Sequence, residues 1–325
     1  MEKSTIRIAV GTSIAAAGIL AAGIAHMAAV NQLGKIAFDR KCPDIDNPKK
    51  RDRVRGSTGN DAFELYLKTQ GEALKEEKLQ TVTITADDGI KLVGHWYQAE
   101  NARRVIVAMH GWRSSWHHDF GMVFPFFKDQ KCSVLFAEQR GQSESGGEYI
   151  GFGVLERFDC QKWAQWAAKQ TQGKLPIYLA GISMGATTVM MASELELPQQ
   201  VKGIIADCGF TSIRDIGNHV IKNNLNMRLP VPKRAIDNLC KKRFQAGAGE
   251  YSTVHALQNT TVPVLLAHGQ EDCFVPVRMS YENFGACKGP RELLIVPRAD
   301  HGMCYYLDPG RYEATVSSFW SKYDD

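Results

Sequence analysis

The sequence predicts an α/β chain with a doubly wound, mostly parallel sheet, a small helical cap and a hydrophobic N-terminal helix. Three observations carry that prediction. Short continuous apolar runs recur at residues 105–109, 133–137, 177–180, 203–206, 264–267 and 293–296, the pattern of strands buried on both faces. Helix-like stretches separate most of them, so the order is βαβα. Finally, the run ending near Asp207 is followed by roughly 55 residues before Val264, too many for one crossover, which marks an insertion.

Taken in order, residues 8–30 contain no Asp, Glu, Lys or Arg. As a helix they would span roughly 34 Å, enough for a hydrocarbon core of about 30 Å. We read them as an uncleaved single-pass anchor, in preference to a cleaved signal peptide, because the stretch exceeds a usual h-region despite the basic Lys3 and Arg7 before it. Lys35, Arg40, Lys41, Lys49 and Lys50 follow it, and this excess tilts the following domain toward the cytoplasm. The 8 dispersed cysteines, with no Cys-x-x-Cys pair, read as free thiols and lean the same way. The expected location is therefore the cell membrane, with residues 1–35 as membrane segment.

Residues 36–79 read as a linker followed by an amphipathic helix: residues 40–60 are rich in Pro, Gly and charge, and residues 61–79 form a helical hairpin or broken helix. Residues 80–325 read as one catalytic domain. It opens with a hairpin around Asp87-Asp88-Gly89, and a helix with Phe158, Trp163, Trp166 and Ala167 at helical spacing covers residues 156–170. The insertion, about residues 213–253, is a cap of two or three helices at the edge of the sheet where ligands bind.

The segment Gly181-Ile-Ser183-Met-Gly185 follows a strand and opens a helix, the setting of a nucleophile elbow, so Ser183 is the candidate nucleophile. A serine needs a base, and in this arrangement acid and then histidine follow it along the chain. His301, after the strand at 293–296, is the candidate base and Asp272, after the strand at 264–267, the candidate acid. Glu271 and Asp300 are rival acids, with Asp300 ranked last because, next to His301, it would point away from it. The main-chain N–H groups of Trp112, in the turn after the strand at 105–109, and of Met184 are the expected oxyanion donors. From the aromatic run at 112–127, Trp116 and Phe120 are candidates for an apolar acyl pocket, while Phe124 to Phe127 read as core. Cap residues Met227 and Leu229 are further candidates for contact with the acyl chain.

A net charge of +4 is too weak to indicate a nucleic-acid partner. Neither a phosphate loop, a dinucleotide fingerprint nor metal-ligand spacing is present in the sequence, so no cofactor or metal is expected.

These pieces resemble the α/β-hydrolases, more narrowly the membrane-anchored bacterial hydrolases of the serine aminopeptidase/prolyl-oligopeptidase-like type. The likeness rests on His110-Gly-Trp, Glu138-Gln-Arg-Gly-Gln-Ser143, Gly181-Ile-Ser-Met-Gly, Asp207-Cys-Gly-Phe-Thr-Ser212, His268-Gly-Gln-Glu-Asp-Cys-Phe-Val-Pro276 and Ala299-Asp-His-Gly302. One departure is Glu138, where the family motif has Asp at a structural position. The resemblance implies cofactor-independent hydrolysis of an ester, thioester or amide through an acyl-enzyme. We expect a carboxylic-ester hydrolase acting on small-molecule acyl esters. The alternatives are a peptidase or amidase acting on a peptide-like substrate, and a non-catalytic binding protein.

Overall fold

The computed structural model describes residues 27–42, 61–225 and 231–324. Its frame is an eight-stranded sheet in the order β1-β2-β4-β3-β5-β6-β7-β8. The strands are β1 Gln80–Thr85, β2 Lys91–Tyr97, β3 Arg104–Met109, β4 Cys132–Ala137, β5 Ile177–Ile182, β6 Val201–Asp207, β7 Val264–Gly269 and β8 Arg291–Val296. β1 and β2 form the hairpin and β2 pairs antiparallel with β4, while β4-β3-β5-β6-β7-β8 are parallel.

Strands β3, β4 and β7 are buried at every position, which is why they read as unbroken apolar runs. Their side chains still alternate between two cores. Ile106 and Ala108 join the face covered by helices Asp61–Lys75, Trp116–Phe120, Phe124–Asp129 and Pro309–Tyr323. Val105, Val107 and Met109 join the face covered by Glu156–Gln170, Met184–Ala192 and Thr253–Asn259. This three-layer packing positions the site. The chain runs outward one way from β3 to β4 and the other way from β5 to β6, so the C-terminal ends of β3 and β5 flank the switch point at which ligands enter open α/β sheets.

Between β6 and β7 come Ile213–His219, a π-helical turn Val220–Asn224 and Lys233–Phe244. Helix Ile213–His219 starts on Ser212, whose hydroxyl accepts from the Asp215 N–H at 3.1 Å.

Two N-terminal expectations need correction. Among the described residues no helix is long and apolar enough to cross a membrane, so the single-pass anchor and the membrane location are not supported. Most of residues 8–30 lies outside the described residues. The described end of that stretch belongs to a helix over residues 27–38 that packs on the body of the protein, burying Val30 and Phe38. Val30, Leu33, Ile36 and Phe38 line a cavity shared with the body of the protein, while Met27 is exposed. The start of the expected linker is likewise tied down: the Ile150 N–H donates to the Phe38 carbonyl (2.7 Å), the Arg40 N–H to the Glu148 carbonyl (2.8 Å), and Arg243 Nε to Asp39 Oδ1 (2.6 Å).

The segment expected as a hairpin or broken helix contains instead one helix, Asp61–Lys75. Phe63, Leu67, Gly71 and Leu74 bury one of its faces. Gly71 permits a close approach to helix Trp116–Phe120, since a Cβ there would stand 3.0 Å from the His117 carbonyl oxygen.

Candidate active site

Ser183 stands between β5 and the helix Met184–Ala192 with φ 57° and ψ −116°, a left-handed turn that forces the chain sharply from strand to helix. The flanking glycines are sterically required. A Cβ on Gly181 would lie 2.2 Å from the Gly185 carbonyl, and one on Gly185 would lie 1.8 Å from the Met109 carbonyl oxygen of β3. The Ser183 N–H donates to the Asp207 carbonyl at the end of β6 (2.8 Å), pinning the turn from the other side.

Three loops at the C-terminal ends of β5, β7 and β8 bring together the residues singled out by chain order. His301 Nε2 lies 2.9 Å from Ser183 Oγ, and His301 Nδ1 lies 2.8 Å from Asp272 Oδ2. Asp272 is almost completely buried. Its other oxygen accepts from the N–H groups of Phe274 (2.9 Å) and Val275 (2.8 Å). Burial alone would raise its pKa. The adjacent His301 and the hydrogen bonds from His268 and His301 outweigh burial and hold the carboxyl well below the usual carboxylate range.

The rival carboxylates are placed differently. Glu271 is exposed, and Asp300 Oδ1 accepts from the Cys273 N–H (2.9 Å) and the His301 N–H (2.8 Å), locking the two loops together.

The turn after β3 packs against the serine, because a Cβ on Gly111 would come within 3.4 Å of Ser183 Cβ. The Gly111 N–H donates to Asp119 Oδ2 (2.6 Å) and the Arg113 N–H to Gln142 Oε1 (2.5 Å), so Trp112 is held between two anchored neighbours. Met184 is the first residue of its helix and fully buried.

Sequence reasoning missed several parts of this site. His268, fully buried at the end of β7, sets its Nε2 2.8 Å from the Val275 carbonyl and 3.1 Å from Asp272 Oδ2. Two acceptors at Nε2 require a proton there, and Nδ1 lies 2.6 Å from Ser280 Oγ. The spacing of a strand-end His four residues before the acid was its available signal. The N-terminal segment was missed as well: Trp112 Nε1 donates to the Ala37 carbonyl (2.8 Å), and the Arg113 guanidinium donates to the carbonyls of Ile36 (2.9 Å) and Asp39 (2.5 Å).

A cavity of about 130 Å³ adjoins Ser183 and His301. Its apolar walls come from Phe63, Leu67, Met122 and Phe274, and its polar wall from Glu64, Ser114, His118 and Asp119. Trp116 and Phe120, expected in an acyl pocket, are absent from it. Both are buried in the sheet core: Trp116 stacks on His95 (4.5 Å between centroids), and Phe120 packs against Phe136 (6.1 Å). Met227 and Leu229 lie outside the described residues.

Asp119 also accepts from Ser114 Oγ (2.5 Å) and pairs with His118 Nδ1 (3.0 Å). Burial opposes charge on both groups. Their mutual attraction and hydrogen bonds win, lowering Asp119 to about 2, and with Glu64 raising His118 to about 9.

Cys208, Asp272 and His301 each offer a ligand atom within 4.8 Å of the others. The fit to a metal is poor. Burial and the nearby carboxylates of Asp207 and Asp272 push the Cys208 thiol well above its ordinary pKa, and His301 already bridges Ser183 and Asp272. Glu138, the departure from the family motif, is buried and bonded to His95 Nε2 (2.9 Å) and the Glu144 N–H (2.6 Å), a structural role.

Comparisons with known proteins agree with this architecture. The chain is 25% identical over 324 residues to the uncharacterized protein YqkD of Bacillus subtilis, covering 98% of each. The esterase Pf2001 of Pyrococcus furiosus superposes with a TM-score of 0.61 at 22% identity, over 76% of this chain and 93% of the esterase. An acylaminoacyl peptidase of Pyrococcus horikoshii superposes with a TM-score of 0.58 at 16% identity, over 78% of this chain and 43% of the peptidase. Both structures share the fold described above. The prolyl oligopeptidase family model matches residues 118–323, from the helix after the Trp112 turn through the elbow and both later loops, and the chain belongs to that family.

Proposed function

We propose that the chain hydrolyses carboxylic esters through an acyl-enzyme formed on Ser183. The observation that carries this reading is the continuous relay from Ser183 Oγ through His301 (2.9 Å) to the buried Asp272 (2.8 Å). His301 accepts the serine proton as Oγ attacks the carbonyl and returns it to the leaving alkoxide. Asp272 stays ionised, fixes the Nδ1–H tautomer of His301 and stabilises the imidazolium. The main-chain N–H groups of Trp112 and Met184 hold the oxyanion, helped by the N-terminal end of the helix Met184–Ala192. Water, activated by the same histidine, then releases the acid.

Amide cleavage is the second reading, favoured by the family match. A peptidase that reads a free substrate amine needs a carboxylate to pair with it. Of the three carboxylates among the described residues lining the Ser183 cavity, Asp119 is bonded to Gly111, Ser114 and His118, Asp300 through Oδ1 to Cys273 and His301, and the exposed Glu64 stands 3.9 Å from His118. This supports the ester. Rates on p-nitrophenyl acetate and alanine p-nitroanilide test the choice, each checked against Ser183→Ala. Ester turnover well above anilide turnover is expected, and the reverse would favour a peptidase.

A further inference from the structure

We propose that a second cavity, walled by the helix at residues 27–38 and by the cap, binds the aliphatic chain of the substrate. This rests on the ester reading above and names the substrate class as esters of medium-length aliphatic chains.

The cavity has a volume of about 110 Å³, and every described residue lining it is apolar or glycine. Val30 and Leu33 come from the N-terminal helix, Val220 and Leu239 from the cap. It adjoins the reaction centre: Trp112 and Phe274 line both cavities. Trp112 carries a proposed oxyanion donor, and the Phe274 ring meets His301 edge-on with centroids 5.0 Å apart. The one indole N–H in the lining is already bonded to the Ala37 carbonyl. A polar substrate group entering here would lose its water without gaining a partner, whereas a hydrocarbon chain loses nothing.

Gly217 shows that the space is kept open. It lies in the helix Ile213–His219 and lines the cavity, yet a Cβ added there would meet no atom of the described residues within 4 Å. Its φ is ordinary, so the backbone does not demand glycine, and glycine is a poor helix former. What the missing side chain provides is room for something else.

This predicts a foldable test. Gly217→Leu fills the cavity and favours the helix. Each methylene denied burial is worth about fourfold in binding, so losing two lowers the octanoate-to-acetate ratio of kcat/KM by more than tenfold. Leu33→Ala enlarges the opposite wall and should move the optimum of a p-nitrophenyl ester series to longer chains. Gly285→Leu, on the exposed side of helix Arg278–Ala286 with no atom of the described residues within 4 Å, should leave the ratio alone. Unmoved chain-length preference in both cavity variants overturns the proposal. Calorimetric binding of decanoate to Ser183→Ala, with and without Gly217→Leu, decides the matter without turnover: tenfold weaker binding in the filled variant supports the site, and equal or absent binding overturns it. Failure of the ester reading is distinguishable, since it appears as no p-nitrophenyl ester hydrolysis of any chain length.

Discussion

Replacing Asp272 by Asn changes one atom and should reverse the relay. Oδ1 of Asp272 accepts from two main-chain N–H groups, of Phe274 at 2.9 Å and Val275 at 2.8 Å. An amide must keep its oxygen there, which turns its NH2 toward His301 Nδ1 and His268 Nε2. His268 already carries its proton on Nε2, so two donors face each other in a buried site at a cost of about 1–3 kcal/mol in stability. Toward His301 the effect is on chemistry. Nδ1 becomes the acceptor, the proton moves to Nε2, and the imidazole can no longer take the Ser183 proton. The expected loss is about 10³- to 10⁴-fold in kcat, about 4–5.5 kcal/mol of transition-state stabilisation, with KM little changed. Steady-state hydrolysis of p-nitrophenyl acetate by folded Asp272→Asn protein measures it, with Glu271→Gln beside it as a near-neutral comparison. A kcat within tenfold of wild type, or a larger loss in Glu271→Gln, refutes the assignment. Because Asp272 titrates below the usual carboxylate range, it should contribute no limb to the wild-type rate profile between about pH 5 and about pH 9.

Other consequences follow from the same geometry. Gly185→Ala puts a methyl 1.8 Å from the Met109 carbonyl oxygen, so the elbow must move; we expect destabilisation of at least about 3 kcal/mol, and an unchanged Tm would contradict the packing described. Arg113→Met removes the guanidinium bonds to the Ile36 and Asp39 carbonyls and should lower kcat by up to about 100-fold by loosening the Trp112 turn, with faster proteolysis near residues 27–42 as the accompanying readout. His118 is raised from 6.5 to about 9, so its pairing contributes fully below about pH 6.5 and fades as pH climbs through about 9. Denaturant unfolding of wild type should therefore lose on the order of 2 kcal/mol more than His118→Gln between about pH 6 and about pH 10, and parallel losses would count against the pair.

Much of the frame is legible in the sequence because parallel strands buried on both faces are written as continuous apolar runs, and β3, β4 and β7 are buried throughout. The elbow is legible for a different reason: two glycines are demanded by carbonyls that approach within 2.2 Å of where side chains would be, and such a demand survives in any sequence that makes the turn. Contacts between distant segments leave no such trace. Residues 27–35 read as the end of a membrane segment because apolar content alone does not reveal whether its neighbours are lipid or, as here, Trp112 and the cap. Trp116 and Phe120 lie in a helix whose five residues are too few to reveal a buried face, and that face turns to Phe136 in the core. The role of His268 is not legible from its spacing alone, because that spacing does not show the ring buried against Asp272 and Val275.

The central claim is that Ser183 is a nucleophile activated by His301. Labelling with a fluorophosphonate, followed by mass mapping of the modified peptide, tests it most directly. A single adduct on Ser183 in wild type, lost in Ser183→Ala and slowed at least about 1000-fold in folded His301→Ala, is the predicted result. An adduct on another residue, or undiminished labelling of Ser183 without His301, would contradict it.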